Sequence, residues 1–309
     1  MKEIIGFKNI LDGFNKRVEN KSLSHAHLII GPDGIGKSLV ASEFATKILG
    51  KENNRDYVDI VNYKPKKVSF GVDEVREIIE EVSKRPYEGD KKVIIIHEGD
   101  KLTIQAQNAL LKTIEEPPYG VYIIILSQSL EVLLDTIRSR CQIYKLTPLS
   151  NEEMEKFLAT IENQDPEKLK VALAYSEGIP GRAEKILYDE QLALLRDIIV
   201  ELLFAILEHN NYLVLEFEEK LSKYKDDKED ILNIITLFIR DIMIYKEISS
   251  GDKVINKDKI NDIMKLSDLY SYKKLNNLLN KIEKARINIK NNVGYSMIIS
   301  NLLIGFLEG

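Results

Sequence analysis

Apolar positions along the chain change rhythm once. Up to residue 146, short and mostly apolar runs alternate with stretches whose apolar residues recur every three or four positions. The runs at 27–30, 92–96, 121–126 and 142–146, with the β-branched run at 57–61, are bounded by charged or turn residues and predict strands, those at 92–96 and 121–126 covered on both faces. Helical spacing appears over 39–49 and 103–114, again over 130–137, and in the set Val72, Val75, Ile78, Ile79 and Val82. A further set, Ile4, Ile5, Ile10, Leu11, Phe14 and Val18, predicts a helix ahead of the first strand. Pro117-Pro118 stop the helix before them, because proline disfavours helix at its own position and just before it. Strands alternating with helices predict an α/β architecture with a mostly parallel sheet.

After Pro148 only the helical period remains. Ser150-Asn151-Glu152-Glu153 has capping-box form. Segments 154–161, 166–176 and 182–187, with a turn at Gly178-Ile179-Pro180-Gly181, predict a small three-helix unit. Longer amphipathic stretches at 192–207, 212–221, 231–248, 270–289 and 293–307 predict a helical bundle, with Gly251-Asp252 in a loop. The predicted division is 1–147, 148–190 and 191–309, a length that suits about two or three domains.

Composition narrows the function classes. A net charge of -5 argues against a generally basic nucleic-acid binder and leaves room only for a local basic face. A single cysteine, Cys141, excludes an internal disulfide framework, and no His/Cys set has zinc spacing. No apolar run approaches the roughly 20 residues that span a bilayer, and residues 1–10 lack a signal-peptide core, so the expected location is the cytoplasm without membrane attachment.

The sharpest chemistry is Gly31-Pro32-Asp33-Gly34-Ile35-Gly36-Lys37-Ser38, which reads G-x-x-x-x-G-K-[ST] between an apolar strand and an Ala-rich helix. Gly31, Gly34 and Gly36 let the backbone form a nest of N–H donors at a helix N-terminus. Lys37 would reach the outer phosphates, and Ser38 would touch magnesium. Hydrolysis also needs carboxylates at the end of a neighbouring strand. The strand ending at Ile96 delivers His97 instead, followed by Glu98. A neutral imidazole is a poor ligand for a hard cation, so weak or absent turnover is expected, with Glu98 left as a water-orienting candidate. Ser127 ends the strand at 121–126 and can either sense a terminal phosphate or satisfy local backbone. Arg140, in Ser139-Arg140-Cys141, stands at an exposed helix end, from which an arginine supplied in trans is worth roughly 10³ to 10⁵ in phosphoryl-transfer rate. Cys141 has no sequence neighbour to activate it and reads as a small buried residue.

The loop, the stretch Gln107-Asn108-Ala109-Leu110-Leu111-Lys112-Thr113-Ile114-Glu115-Glu116-Pro117-Pro118, and Thr136-Ile137-Arg138-Ser139-Arg140-Cys141 together resemble the bacterial clamp-loader subunits of DNA polymerase III, within the AAA+ class. The resemblance extends loosely through Asn292-Val293 and the apolar run at 297–306. It implies an AAA+ P-loop domain, a three-helix lid, and a C-terminal helical collar that builds a hetero-pentamer with motor (gamma/tau) and delta subunits. It further implies ATP or ADP with magnesium at the loop, and Arg140 reaching an adjacent subunit's ATP. The assembly would set a sliding clamp on primer-template DNA. Motor subunits keep an aspartate where His97 stands, which implies a stator-type subunit; motor and many stator subunits carry zinc cysteines that 48–63 lacks, so no zinc is implied. Gly181 occupies the position of the motors' lid arginine, with Arg182 one residue later as the remaining candidate. The alternative is a motor subunit or another self-sufficient AAA+ ATPase acting on DNA.

Overall fold

The computed structural model describes residues 4–52, 56–66, 69–162, 164–208, 212–291 and 293–308; Asn292, one of the residues of the resemblance, lies outside them. The chain forms two compact units, Met1–Thr160 with Gly178–Gly181, and Ile161–Glu177 with Arg182–Gly309.

In the first unit, α1 (Lys8–Glu19), β1 (Ala26–Ile30), α2 (Lys37–Ile48), β2 (Ile60–Tyr63), α3 (Val72–Val82) and β3 (Lys92–Ile96) are followed by α4 (Ile104–Glu115), β4 (Val121–Ser127), α5 (Asp135–Arg138), β5 (Gln142–Lys145) and α6 (Asn151–Ala159). The strands form one parallel sheet in the order β2-β3-β4-β1-β5. Successive residues of β1 serve opposite faces: Leu28 and Ile30 join Val75, Leu110 and Ile137 on one side, while Ile29 packs with Phe14, Val40 and Phe44 on the other. Burial on both faces is why β1 and β3 carry nearly continuous apolar runs. Each fully buried Ile or Leu contributes about 1.5–3 kcal/mol by its removal from water.

Two expectations shift. The strand expected at 57–61 begins only at Ile60. Asp59 is buried, and its carboxylate accepts the N–H groups of Tyr87 (2.6 Å) and Glu88 (2.8 Å), while Ile60 N–H closes a turn on the Tyr57 carbonyl. The helix expected at 130–137 shrinks to Asp135–Arg138. Gln107, buried on α4, accepts the Leu134 N–H (2.8 Å) and donates to the Val132 carbonyl (3.1 Å), which draws those backbone groups away from helical pairing.

The second unit is all-helical. After α7 (Pro166–Ser176), α8 (Pro180–Tyr188) enters from the first unit's Gly178–Gly181 segment, and α9 (Glu190–Ala205), α10 (Leu213–Leu221) and α11 (Lys228–Ile248) follow. Then come α12 (Ile260–Leu269), α13 (Tyr272–Lys290) and α14 (Tyr295–Leu307). Leu195, Leu202, Phe238, Leu278, Leu303 and Phe306 meet in its core. Helix α12 was not expected. It buries little besides Ile263 and Leu266 among charged neighbours, too short a stripe to stand out in the sequence. Lys185 of α8 is held by Asp227 and, at 2.6 Å, by Asp230. Among the described residues no helix is long and apolar enough to cross a membrane.

Candidate nucleotide site

Residues 31–36 connect the buried strand β1 directly to α2, so the glycine-rich loop lies at the carboxyl edge of the sheet, where parallel α/β sheets bind ligands. Gly34 (φ 78°) and Gly36 (φ 104°) adopt the left-handed conformation that turns successive amides one way. Gly36 caps α2 with no side-chain acceptor, which leaves the first-turn N–H donors and the positive end of the helix dipole to an anion. The Lys37 ammonium folds back on the loop and donates to the carbonyls of Gly31 (2.8 Å) and Pro32 (2.9 Å). Burial lowers its pKa from the ordinary 10.5, and the charges of Asp33 and Asp100 oppose that shift. These groups fit the phosphates of a nucleotide.

The metal half of the site is different. His97 directly follows β3, its N–H bonded to the Tyr63 carbonyl at 2.8 Å. Its Nε2 lies 2.8 Å from Asn62 Oδ1 and its Nδ1 lies 3.4 Å from Ser38 Oγ. An amide oxygen facing Nε2 requires the proton there, which leaves Nδ1 as acceptor for the Ser38 hydroxyl. Burial pushes the ring below its ordinary 6.5, the charge of Lys64 adds to the shift and that of Glu98 opposes it, so the imidazole is neutral at pH 7. Ser38, His97 and Asn62 form a chain of three uncharged groups, a donor set that does not fit magnesium. Glu98 (φ 53°) turns its carboxylate to Lys101, away from the role of orienting water, and Asp100 accepts the Gln128 N–H at 3.1 Å.

Ser127 pairs with Ile30 in the sheet, so β4 does bring it beside the loop, and its carbonyl accepts the Gly31 N–H at 3.2 Å. The hydroxyl is buried and donates to the Ser129 carbonyl (2.8 Å), a local backbone partner. Gly181 touches the loop from the other side: its N–H donates to the Gly34 carbonyl at 2.9 Å, and a Cβ on Gly181 would stand 2.7 Å from Gly34 Cα. Arg182 pairs with Glu177.

Arg140 is part-exposed just past α5. Its Nε lies 2.6 Å from Glu115 Oε1, and its Nη1 donates to the Thr136 carbonyl at 2.9 Å. The two signature stretches therefore meet at this ion pair. Burial pushes the Cys141 thiol up to about 12, consistent with a packing residue. Sequence reasoning assigned no role to Gln107 or Asn62. Gln107 also donates to the Leu102 carbonyl (3.1 Å) and so clasps the segment leading into α5 and Arg140. An amide in a helical signature stretch was the available signal. Nothing in the sequence pointed to Asn62, whose register on an edge strand aims it at His97.

A parallel sheet with a glycine-rich loop between its β1 strand and α2, a polar residue from β4 beside that loop, and an all-helical C-terminal region define a P-loop protein of the AAA+ class. Two family models match, one described as DNA polymerase III, delta subunit, over residues 6–150, the other as DNA polymerase III, delta subunit, C terminal, over residues 188–308. The chain belongs to this DNA polymerase III subunit family, for which a nucleotide-binding loop is an expected part. It is 25% identical to DNA polymerase III subunit delta' of Bacillus subtilis (strain 168) over 94% of this chain and 93% of that one. It is 36% identical to subunit delta' of Escherichia coli (strain K12) over 41% of this chain and 38% of that one. It is 31% identical to subunit gamma of Buchnera aphidicola subsp. Schizaphis graminum (strain Sg), over 57% of this chain and 54% of that one. The chain thus spans nearly all of the first relative and about half or less of the other two.

Proposed function

We propose that this chain is a stator-type, delta-prime-like subunit of the DNA polymerase III clamp loader, which binds ATP or ADP at its own loop without turning it over. The observation that carries this reading is His97, neutral and bonded to Ser38 where a hydrolysing site needs a carboxylate for magnesium. Residues 1–147 serve as nucleotide-binding domain, 148–190 as lid and 191–309 as collar, with Gly31, Gly34, Gly36, Lys37 and Ser38 as phosphate cradle and without zinc. Arg140 is the arginine delivered to a neighbouring subunit's ATP. Partners are motor (gamma/tau) and delta subunits in a hetero-pentamer in the cytoplasm, through which the chain acts on the sliding clamp and primer-template DNA. Supporting this, Arg140 stands on the surface, where its partners are the Glu115 carboxylate, the Thr136 carbonyl and, at 3.4 Å, the Ser139 hydroxyl. ATP turnover by the purified chain, with and without primed DNA, is the test: a background rate in both conditions is expected, and a robust DNA-stimulated rate would sink the reading in favour of a motor subunit.

A further inference from the structure

Phosphate cradle and metal site normally act as one device, because the loop's serine holds the ion that bridges the outer phosphates. Here the two halves differ in kind. The cradle is intact: an uncapped helix N-terminus, two left-handed glycines, and a lysine whose amine rests 2.8 Å and 2.9 Å from loop carbonyls that a phosphate can replace. The metal half has lost its charge. Ser38 is tethered to His97 at 3.4 Å, and His97 is fixed by Asn62 at 2.8 Å, so these three groups offer no full negative charge to a cation. The carboxylates of the region have other partners or places. Glu98 is paired with Lys101, Asp100 accepts the Gln128 N–H, and Asp33 sits exposed within the loop.

We infer that this loop takes its nucleoside di- or triphosphate without magnesium, through backbone amides and Lys37 alone. The inference rests on the reading of the loop as a nucleotide site and adds that the ligand enters metal-free. A carboxylate in place of His97 would restore the missing charge, so the same residue carries both the present behaviour and its reversal.

Calorimetric titration of the full chain with ADP and with ATP, once in excess magnesium and once in excess EDTA, tests this directly. The expected dissociation constants agree within about threefold between the two buffers. His97→Asp should introduce a magnesium dependence of about tenfold or more, and Lys37→Ala should abolish binding in both buffers. His97→Asn, neutral and smaller, should stay metal-independent and serves where the aspartate variant fails to fold. A tenfold loss of wild-type affinity in EDTA overturns the inference alone; an absence of binding in both buffers overturns it together with the nucleotide-binding part of the proposed function, while the stator role is tested separately by turnover. Metal independence in a folded His97→Asp variant overturns the role given to His97.

Discussion

Ser38 Oγ lies 3.4 Å from His97 Nδ1, and the same ring is anchored through Nε2 to Asn62. This contact joins the start of α2 to the end of β3 across the site. The hydroxyl therefore already has an acceptor, and that acceptor is uncharged. A phosphate loop with correct spacing thus sits beside a strand end that presents an imidazole and not a carboxylate, and the proposed reading of a subunit that holds a nucleotide without consuming it starts from that pairing.

Arg140→Ala and Lys37→Ala should rank oppositely to their order in a self-sufficient ATPase. In a reconstituted assembly, Arg140→Ala is expected to lower ATP turnover by roughly 10³ or more at any site the arginine completes. Lys37→Ala should leave assembly turnover within a few-fold of wild type. Steady-state ATPase and clamp-loading assays on both variants check the order, and the reverse ranking would overturn the assignment.

Gln107→Leu removes a clasp that satisfies three backbone groups, the Leu102 and Val132 carbonyls and the Leu134 N–H. Leaving buried polar groups without partners costs roughly 1–3 kcal/mol each, so the variant should lose about 2 kcal/mol or more. Hydrogen exchange should show the Leu134 amide opening before the sheet does. An unchanged exchange rate there would mean the clasp does not hold the segment.

Gly181→Ala would place a Cβ 2.7 Å from Gly34 Cα and 3.0 Å from Gly34 O. Backbone cannot yield as a flexible side chain does, so the loop must shift and nucleotide affinity should fall by about tenfold or more. Titration of the variant with ADP measures this. Wild-type affinity would show that the loop accommodates the methyl group.

His27 supplies a pH dependence. Buried on β1 among Phe14 and Tyr144, it has its pKa lowered from 6.5 to about 4 by desolvation, with smaller opposing and reinforcing contributions from Ser24, Arg17 and His25. The unfolded chain binds this proton at higher pH than the folded one. Stability is therefore complete above pH 6.5 and falls as pH drops towards 4, by about 3 kcal/mol at most. Urea denaturation across that window should show the slope in wild type and lose much of it in His27→Phe. An equal slope in both would assign the acid sensitivity elsewhere.

The sheet and the phosphate loop were legible because each rests on local chemistry: doubly buried runs such as Lys92–Ile96, and glycines at fixed spacing before Lys37. That a strand end delivers His97 where hydrolysis needs a carboxylate was legible too, since a strand end fixes position. What remained hidden depended on distant partners. Asp59 delays β2 through amides of Tyr87 and Glu88, and Gln107 of α4, more than twenty residues earlier in the chain, claims the backbone groups ahead of α5. Asn62 acts through a sheet register that no local pattern announces. The Glu115–Arg140 pair joins two recognisable stretches, yet only the fold brings them within 2.6 Å.

Gly34 and Gly181 meet backbone to backbone, and what fits them together is the absence of atoms. An arginine reaching towards a phosphate from position 181 would start its side chain inside the van der Waals shell of the loop. Position 181 offers closeness without reach. It can feel whether the loop has moved, but it has no arm with which to read what the loop contains.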